Sequence, residues 1–271
     1  MLTRIISGII GVVALVAVLV FLPAVATEIA VALVAALALY EFYSAVLGKK
    51  ELPEKIMLVI VGFAVGFAVM FVPLTYIFPV IVFGSILTLI ILVLRYGKIS
   101  FKECAMAFFG SIYVFALLRH VYMVRNLENG KFLVFAIFIG AFITDTGAYF
   151  TGCFLGKHKL APVLSPKKTI EGSVGGMLAT VLAFFAYSWV GCGLLGCEMN
   201  VLNLILTAVL LSVVSQFGDL GASAIKREMG IKDYGNIMPG HGGALDRFDS
   251  VLFVAPAFYW LNEILPVFVI K

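Results

Sequence analysis

The apolar positions of this chain neither alternate nor recur at helical spacing. They run on in blocks of about 20 residues, long enough as helix, at 1.5 Å per residue, to cross the hydrocarbon core of a bilayer. Such blocks predict about nine membrane helices, near 5–22, 28–47, 56–73, 76–94, 103–122, 132–152, 172–192, 201–221 and 250–269. A membrane barrel needs short alternating strands, whereas these runs are continuously rich in Leu, Val, Ala and Phe, so each segment must satisfy its own backbone as helix. The expected class is therefore all-α: a polytopic integral membrane protein forming a single membrane-embedded domain over residues 1–271. The longest polar stretches, 153–171 and 222–249, are where water-facing chemistry belongs.

Composition strengthens this reading. Hydrophobic residues make up 63% of the chain and charged ones 13%, against roughly one quarter charged in a soluble domain, and mean hydropathy is +1.14. Arg4, the apolar run after it and "AVA" at 24–26 resemble a secretory signal with its cleavage site. That run exceeds the usual signal core of about 7–15 residues, which favours a retained first span over a cleaved one. The four cysteines, Cys104, Cys153, Cys192 and Cys197, show no CxxC spacing, and three histidines are few for a zinc site. Cys192 and Cys197 share one short loop, where they either pair in an oxidising compartment or fill space at a helix end.

Charge sets the orientation. With nine spans, one side receives Arg4, Lys49, Lys50, Lys55, Arg95, Lys98, Lys102, Lys157, Lys159, Lys167, Lys168, Lys226, Arg227, Lys232 and Arg247, fifteen of the nineteen basic residues. By the positive-inside rule that side is cytoplasmic, and both long polar stretches fall on it. The expected location is the cell's inner membrane, with a polar cavity open to the cytoplasm.

A carboxylate inside a span costs about 2.5–3.5 kcal/mol on insertion scales, so each one needs a reason. Glu41, in "LYEFY", and Glu263 read as structural, reaching the interface or bonding a neighbouring helix. Asp145, in "FITDTGAYFTG", shares a polar helical face with Tyr149 and Gly152. Asp219, in "SQFGDLGASAIKRE", lies about 10 Å of helix before Lys226, so both aspartates point to one mouth.

The stretch "PGHGGALDRFDS", residues 239–250, concentrates chemistry. On a helix Asp246 and Asp249 share one face, and paired carboxylates without histidines suit magnesium. Gly240, Gly242 and Gly243 let backbone amides approach an anion, His241 can donate to it, and Arg247 offers a fork matched to phosphate oxygens. Upstream, Ser223, Lys226, Arg227 and Lys232 add phosphate-type partners, so the region reads as metal plus polyphosphate. The loop "GKHKLAPVLSPKKTIEGSVGG" at 156–176 repeats the theme, with Ser165, Lys167, Lys168 and Thr169 at a helix entry. No GxxxxGK[ST], HExxH or GxSxG occurs. A literal GxGxxG, "GCGLLG" at 191–196, ends a membrane helix with no strand before it and is discarded.

The signature region 223–249, "SAIKREMGIKDYGNIMPGHGGALDRFD", resembles that of the phosphatidate cytidylyltransferases, the membrane CDP-diacylglycerol synthases, element by element in order and spacing. The resemblance extends to "DTGAYFTGCFLGK" and "SPKKTIEG". Met238 and Ala244 depart from it at packing positions. It implies that CTP and phosphatidate give CDP-diacylglycerol and pyrophosphate, by in-line attack of the lipid phosphate on the α-phosphorus. It further implies magnesium as cofactor at Asp219, Asp246 and Asp249, phosphates at Lys167, Lys168, Lys226, Arg227, His241 and Arg247, and Asp145 and Ser223 as substrate or cavity ligands. Membrane lipids are the expected surroundings, nucleic acid is not an expected partner, and a homodimer is compatible. A CTP-dependent lipid kinase and a transporter with buried carboxylates are the alternatives, although a transporter would place its charges near the midplane.

Overall fold

A computed structural model describes residues 2–237 and 242–270 of the chain; Met238, Pro239, Gly240 and His241 lie outside the described residues. The helices are α1 (Leu2–Phe21), α2 (Ala24–Val46), α3 (Ile56–Phe71), α4 (Ile77–Leu94), α5 (Phe101–Arg125), α6 (Gly130–Phe138), α7 (Thr144–Leu155), α8 (Ile170–Leu195), α9 (Val201–Glu228) and α10 (Leu245–Ile264). Among the described residues, six helical segments are long and apolar enough to cross a membrane: Ala24–Val46, Leu74–Leu94, Phe101–Arg125, Gly130–Leu155, Ile170–Leu194 and Val201–Glu228. Ile10–Phe21 and Ile56–Phe71 are shorter apolar helices. The chain is a polytopic, helical integral membrane protein.

Three local features depart from uniform helix. Helices α6 and α7 are one predicted span, joined by a π-helical turn at Ile139–Ile143 that ends two residues before Asp145. Such turns inside an α-helix often mark functional positions. The polar loop before α8 folds as a hairpin, with β1 (Lys159–Ala161) antiparallel to β2 (Ser165–Thr169). The last helix stops at Ile264 rather than continuing to 269, because the chain after Pro266 forms β4 (Phe268–Ile270), which pairs with β3 (Cys197–Met199). Helix α8 ends where the discarded glycine motif predicts, at Gly196 in the left-handed conformation (φ 66°).

The chain divides into two compact units, residues 1–122 with 228–247, and residues 123–227 with 248–271. In the first, Tyr43 is fully buried and its hydroxyl bonds Ser111 Oγ (2.7 Å) and Ala107 O (3.0 Å). Glycines let its helices approach: Gly66 leaves room for the Phe115 ring and Gly110 for Phe42. Lys55 is buried between helix ends, donating to Leu47 O (2.7 Å) and paired with Glu51 and Glu103. In the second unit α7 and α8 nearly touch, with Gly147 against Ala179 and Gly175 against Thr151. The Thr144 and Thr180 hydroxyls bond each other at 2.7 Å across that seam. This fixes the start of α7 and with it Asp145.

Candidate functional site

Helices α7, α9 and α10 and the β1–β2 hairpin bring the ionisable residues of the second unit together. Gly218 is the position that makes this work: any side chain there would run into the backbone carbonyl of Asp249. Its absence lets α9 cross the first turns of α10 closely, which sets Asp219 near Asp249. Asp249 is 8% exposed and interacts electrostatically with Asp219, Lys226 and Asp145. Ser250 donates from Oγ to Asp145 Oδ2 (3.1 Å), and its amide donates to Asp249 Oδ1 (2.8 Å), so one residue ties two of the carboxylates.

The hairpin supplies the counter-charge. Successive residues of a strand point to opposite faces, and β2 uses this: Lys168 pairs with Asp219 Oδ2 at 2.5 Å, while Lys167 is exposed. The hairpin is anchored at both ends. Thr169 caps α8 by accepting the Gly172 amide at 3.1 Å, and Glu171 accepts the amides of Lys157 and His158 and meets His158 Nδ1 at 2.6 Å. Ser223, one turn after Asp219 on α9, donates to its Oδ1 at 3.4 Å, and Lys226 is buried one turn further on. Arg227 is exposed.

Asp246 and Arg247 belong to the first unit. Asp246 is buried, and its Oδ2 accepts the amides of Tyr234 (2.8 Å) and Gly243 (3.0 Å). Gly242 has φ +84°, a conformation that side chains resist. Arg247 and Lys232 are exposed. The sequence expectation that Gly243 opens its backbone amide to a bound anion is corrected here, and Gly240 lies outside the described residues. The Gly243 amide goes to Asp246, and the Leu245 amide goes to Glu41 Oε2 at 2.9 Å, so these two amides serve the chain's own carboxylates. His241 lies outside the described residues.

A family model described as the cytidylyltransferase family matches residues 2–265. The chain belongs to that family. Among curated relatives it is 42% identical to the phosphatidate cytidylyltransferase of Staphylococcus epidermidis over 172 residues, covering 64% of each chain. It is 41% identical to that of Staphylococcus aureus over 172 residues, again 64% of each, and 40% identical to that of Staphylococcus haemolyticus over 169 residues, 60% of this chain and 61% of the other. The chain thus spans a little under two thirds of the length of the curated relatives it matches.

Carboxylate oxygens without histidine or thiolate are the donor chemistry that a hard divalent cation takes. Asp249 lies within electrostatic reach of Asp219, Asp145 and Lys226, and Lys168 pairs with Asp219. Among the described residues no three His, Cys, Asp or Glu side chains form a ready-made cage. Magnesium is commonly held by one or two carboxylates plus substrate phosphates and water, and needs no such cage. Sequence reasoning missed Ser250, although it follows Asp249 directly in "DRFDS", and it did not separate Lys167 from Lys168, which the alternation of a strand would have done.

Proposed function

We propose that this chain is a phosphatidate cytidylyltransferase, converting CTP and phosphatidate to CDP-diacylglycerol and pyrophosphate. The observation that carries the reading is the convergence of Asp145, Asp219 and Asp249 with Lys168 and Lys226, in a chain of the cytidylyltransferase family. The names and identities of the staphylococcal relatives support it.

The chemistry asks little covalent work of the protein. A phosphate monoester, with a second pKa of about 6, is already ionised near neutral pH, so the lipid oxygen needs no general base to attack. The obstacle is repulsion between two polyanions, and the remedy is alignment and charge neutralisation. Asp219 and Asp249 would hold magnesium, with Asp246 kept in the set on its sequence spacing. When bound, the ion offsets charge on the reacting phosphates and polarises the α-phosphoryl group. Lys168 holds Asp219 in place and offers its ammonium to an incoming phosphate. Lys226 does the same beside Asp249. Ser223 orients Asp219, and Ser250 keeps Asp145 turned towards the cluster. Arg227 and Lys167, both exposed, gather phosphate oxygens at the rim, and Arg247 and His241 are assigned to phosphate from sequence.

Given nine spans, the fifteen-to-four division of basic residues supports residues 157–171 and 226–249 facing the cytoplasm. The deciding experiment is purified protein with labelled CTP and phosphatidate, with and without magnesium. Release of pyrophosphate with label in the lipid is expected. Release of CDP with unlabelled phosphorylated lipid would make it a lipid kinase, and no nucleotide consumption would remove it from the enzymes.

A further inference from the structure

Glu41 stands on α2, some two hundred residues before the signature region, and reads from sequence as a structural carboxylate. It is 2% exposed, and its Oε2 accepts the amide of Leu245, the first residue of α10, at 2.9 Å. The Ala244 amide adds a second, weaker attraction. The first amides of a helix have no partner within it and carry the positive end of its dipole, so an anion placed there is held well. The carboxylate also fills the space beside two glycines: a side chain at Gly235 or Gly243 would collide with it. Glu41 Oε1 is buried without a hydrogen-bond partner among the described residues. Next to Glu41, the Phe42 ring lies 6.3 Å from that of Tyr234, whose amide is held by Asp246.

We infer that Glu41 is a positioning residue for the reaction: its side chain occupies the N-terminus of α10 as a built-in acceptor and fixes Gly235 and the stretch 243–245, so that Asp246 is presented in one orientation. Two consequences follow. The Leu245 amide is taken by Glu41 and is not offered to substrate phosphate. Gly235 and Gly243 serve to admit Glu41. The inference rests on the cytidylyltransfer reading for its functional half; its structural half stands without it.

The test compares Glu41→Gln, Glu41→Ala and Gly235→Ala in the full-length protein, by hydrogen exchange of the peptides spanning 234–247 and by steady-state kinetics on the folded fraction across a magnesium titration. Glu41→Ala removes acceptors from buried amides, so exchange in this segment should rise by roughly tenfold or more. Its kcat should fall by about tenfold or more, with a raised magnesium requirement. Glu41→Gln keeps an acceptor oxygen and should stay within about threefold of wild type in both readouts. Gly235→Ala should reproduce the Glu41→Ala defect, and the double variant should be no worse than either single one, because both act through the same carboxylate. Unchanged exchange in Glu41→Ala overturns the inference outright. Raised exchange with wild-type kcat and magnesium dependence reduces Glu41 to a stability residue and overturns its role in the reaction. A wild-type protein that does not transfer cytidylyl groups would sink the functional reading alone, and the exchange data would still decide whether Glu41 orders the segment.

Discussion

Two buried clusters of charge in this chain are built to opposite rules. Around Lys55, in the first unit, one ammonium meets Glu51, Glu103 and the carbonyl of Leu47, and tethers the starts of α3 and α5 to the end of α2. Its cation is fully engaged, and Glu51, the second carboxylate, is largely in water. Around Asp249, in the second unit, three carboxylates crowd two lysines at the junction of α7, α9 and α10. Buried like charges raise the energy of the folded state, and nothing in helix packing requires them. The first cluster is what a membrane protein does to close a loop. The second sets one buried carboxylate against two others, the repulsion that a bound cation would relieve. Burial alone does not separate the two; what the buried group faces does: Lys55 faces opposite charges, whereas Asp249 faces two further carboxylates.

The sharpest way to break this comparison is Asp249→Asn. The substitution keeps size and most hydrogen bonding but relieves repulsion with Asp219 and Asp145. Cytidylyltransfer should fall by about a thousandfold or more, the several kcal/mol that metal-assisted charge stabilisation supplies, while the apparent Tm in detergent stays near wild type or rises. Both are read on one preparation, by product formation and by thermal unfolding. A variant that loses stability in step with activity would make the cluster structural. Lys168→Ala comes next. With the ion pair to Asp219 gone, kcat/KM should fall by roughly a hundredfold, the order seen when a preorganised charge is removed from an anionic transition state. Near-normal kinetics in this variant would leave the hairpin as a cover over the site.

The helices were legible because continuous apolar runs leave the backbone no alternative inside a bilayer. The candidate residues were legible because aspartates and lysines at helix ends are expensive there. Other features were not, each for a physical reason. Strands of three to five residues containing Pro166 and three lysines carry no period-two pattern, so the β1–β2 hairpin reads as loop. Pro266 and the pairing of β4 with β3 cut the last helix short through contacts far apart in sequence. Glu41 looks structural because its partner lies on the last helix, and Gly243 looks like part of a phosphate cradle until Asp246 and Glu41 are placed beside it.

Lys55→Met tests the other half of the comparison. Breaking a buried pair costs about 3–5 kcal/mol, but exposed pairs contribute little, and Glu51 is mostly exposed. A loss of about 1–3 kcal/mol is expected, lowering Tm by several degrees, with kcat/KM of the folded protein unchanged. Burial works against the Lys55 ammonium, but Glu103 and Glu51 outweigh it and hold its pKa above the ordinary lysine value. The stabilisation is therefore complete below about pH 10.4 and is lost as pH rises through the higher folded pKa. The Tm gap between wild type and Lys55→Met should accordingly close only in strong alkali. A large kinetic defect in the folded variant would join the two clusters in function.

The smallest effect is expected at Lys167, where the sequence alone puts two equivalent lysines. One residue along a strand reverses the direction of the side chain, and Lys167 is exposed while Lys168 meets Asp219. An exposed ammonium acts on a polyanionic substrate through water, and at about 0.1 M ionic strength its field is screened within roughly 10 Å. Lys167→Ala should therefore lower kcat/KM by less than about threefold at that ionic strength. The deficit should widen at low salt, as the screening length grows, and vanish at high salt. Lys168→Ala, which removes a direct ion pair, should show a loss that salt barely changes. Measuring both variants across a salt series separates gathering of substrate at the rim from neutralisation at the centre. If the two lysines lose activity equally and with the same salt dependence, the hairpin register is not what distinguishes them, and the contrast between rim and cluster has to be redrawn.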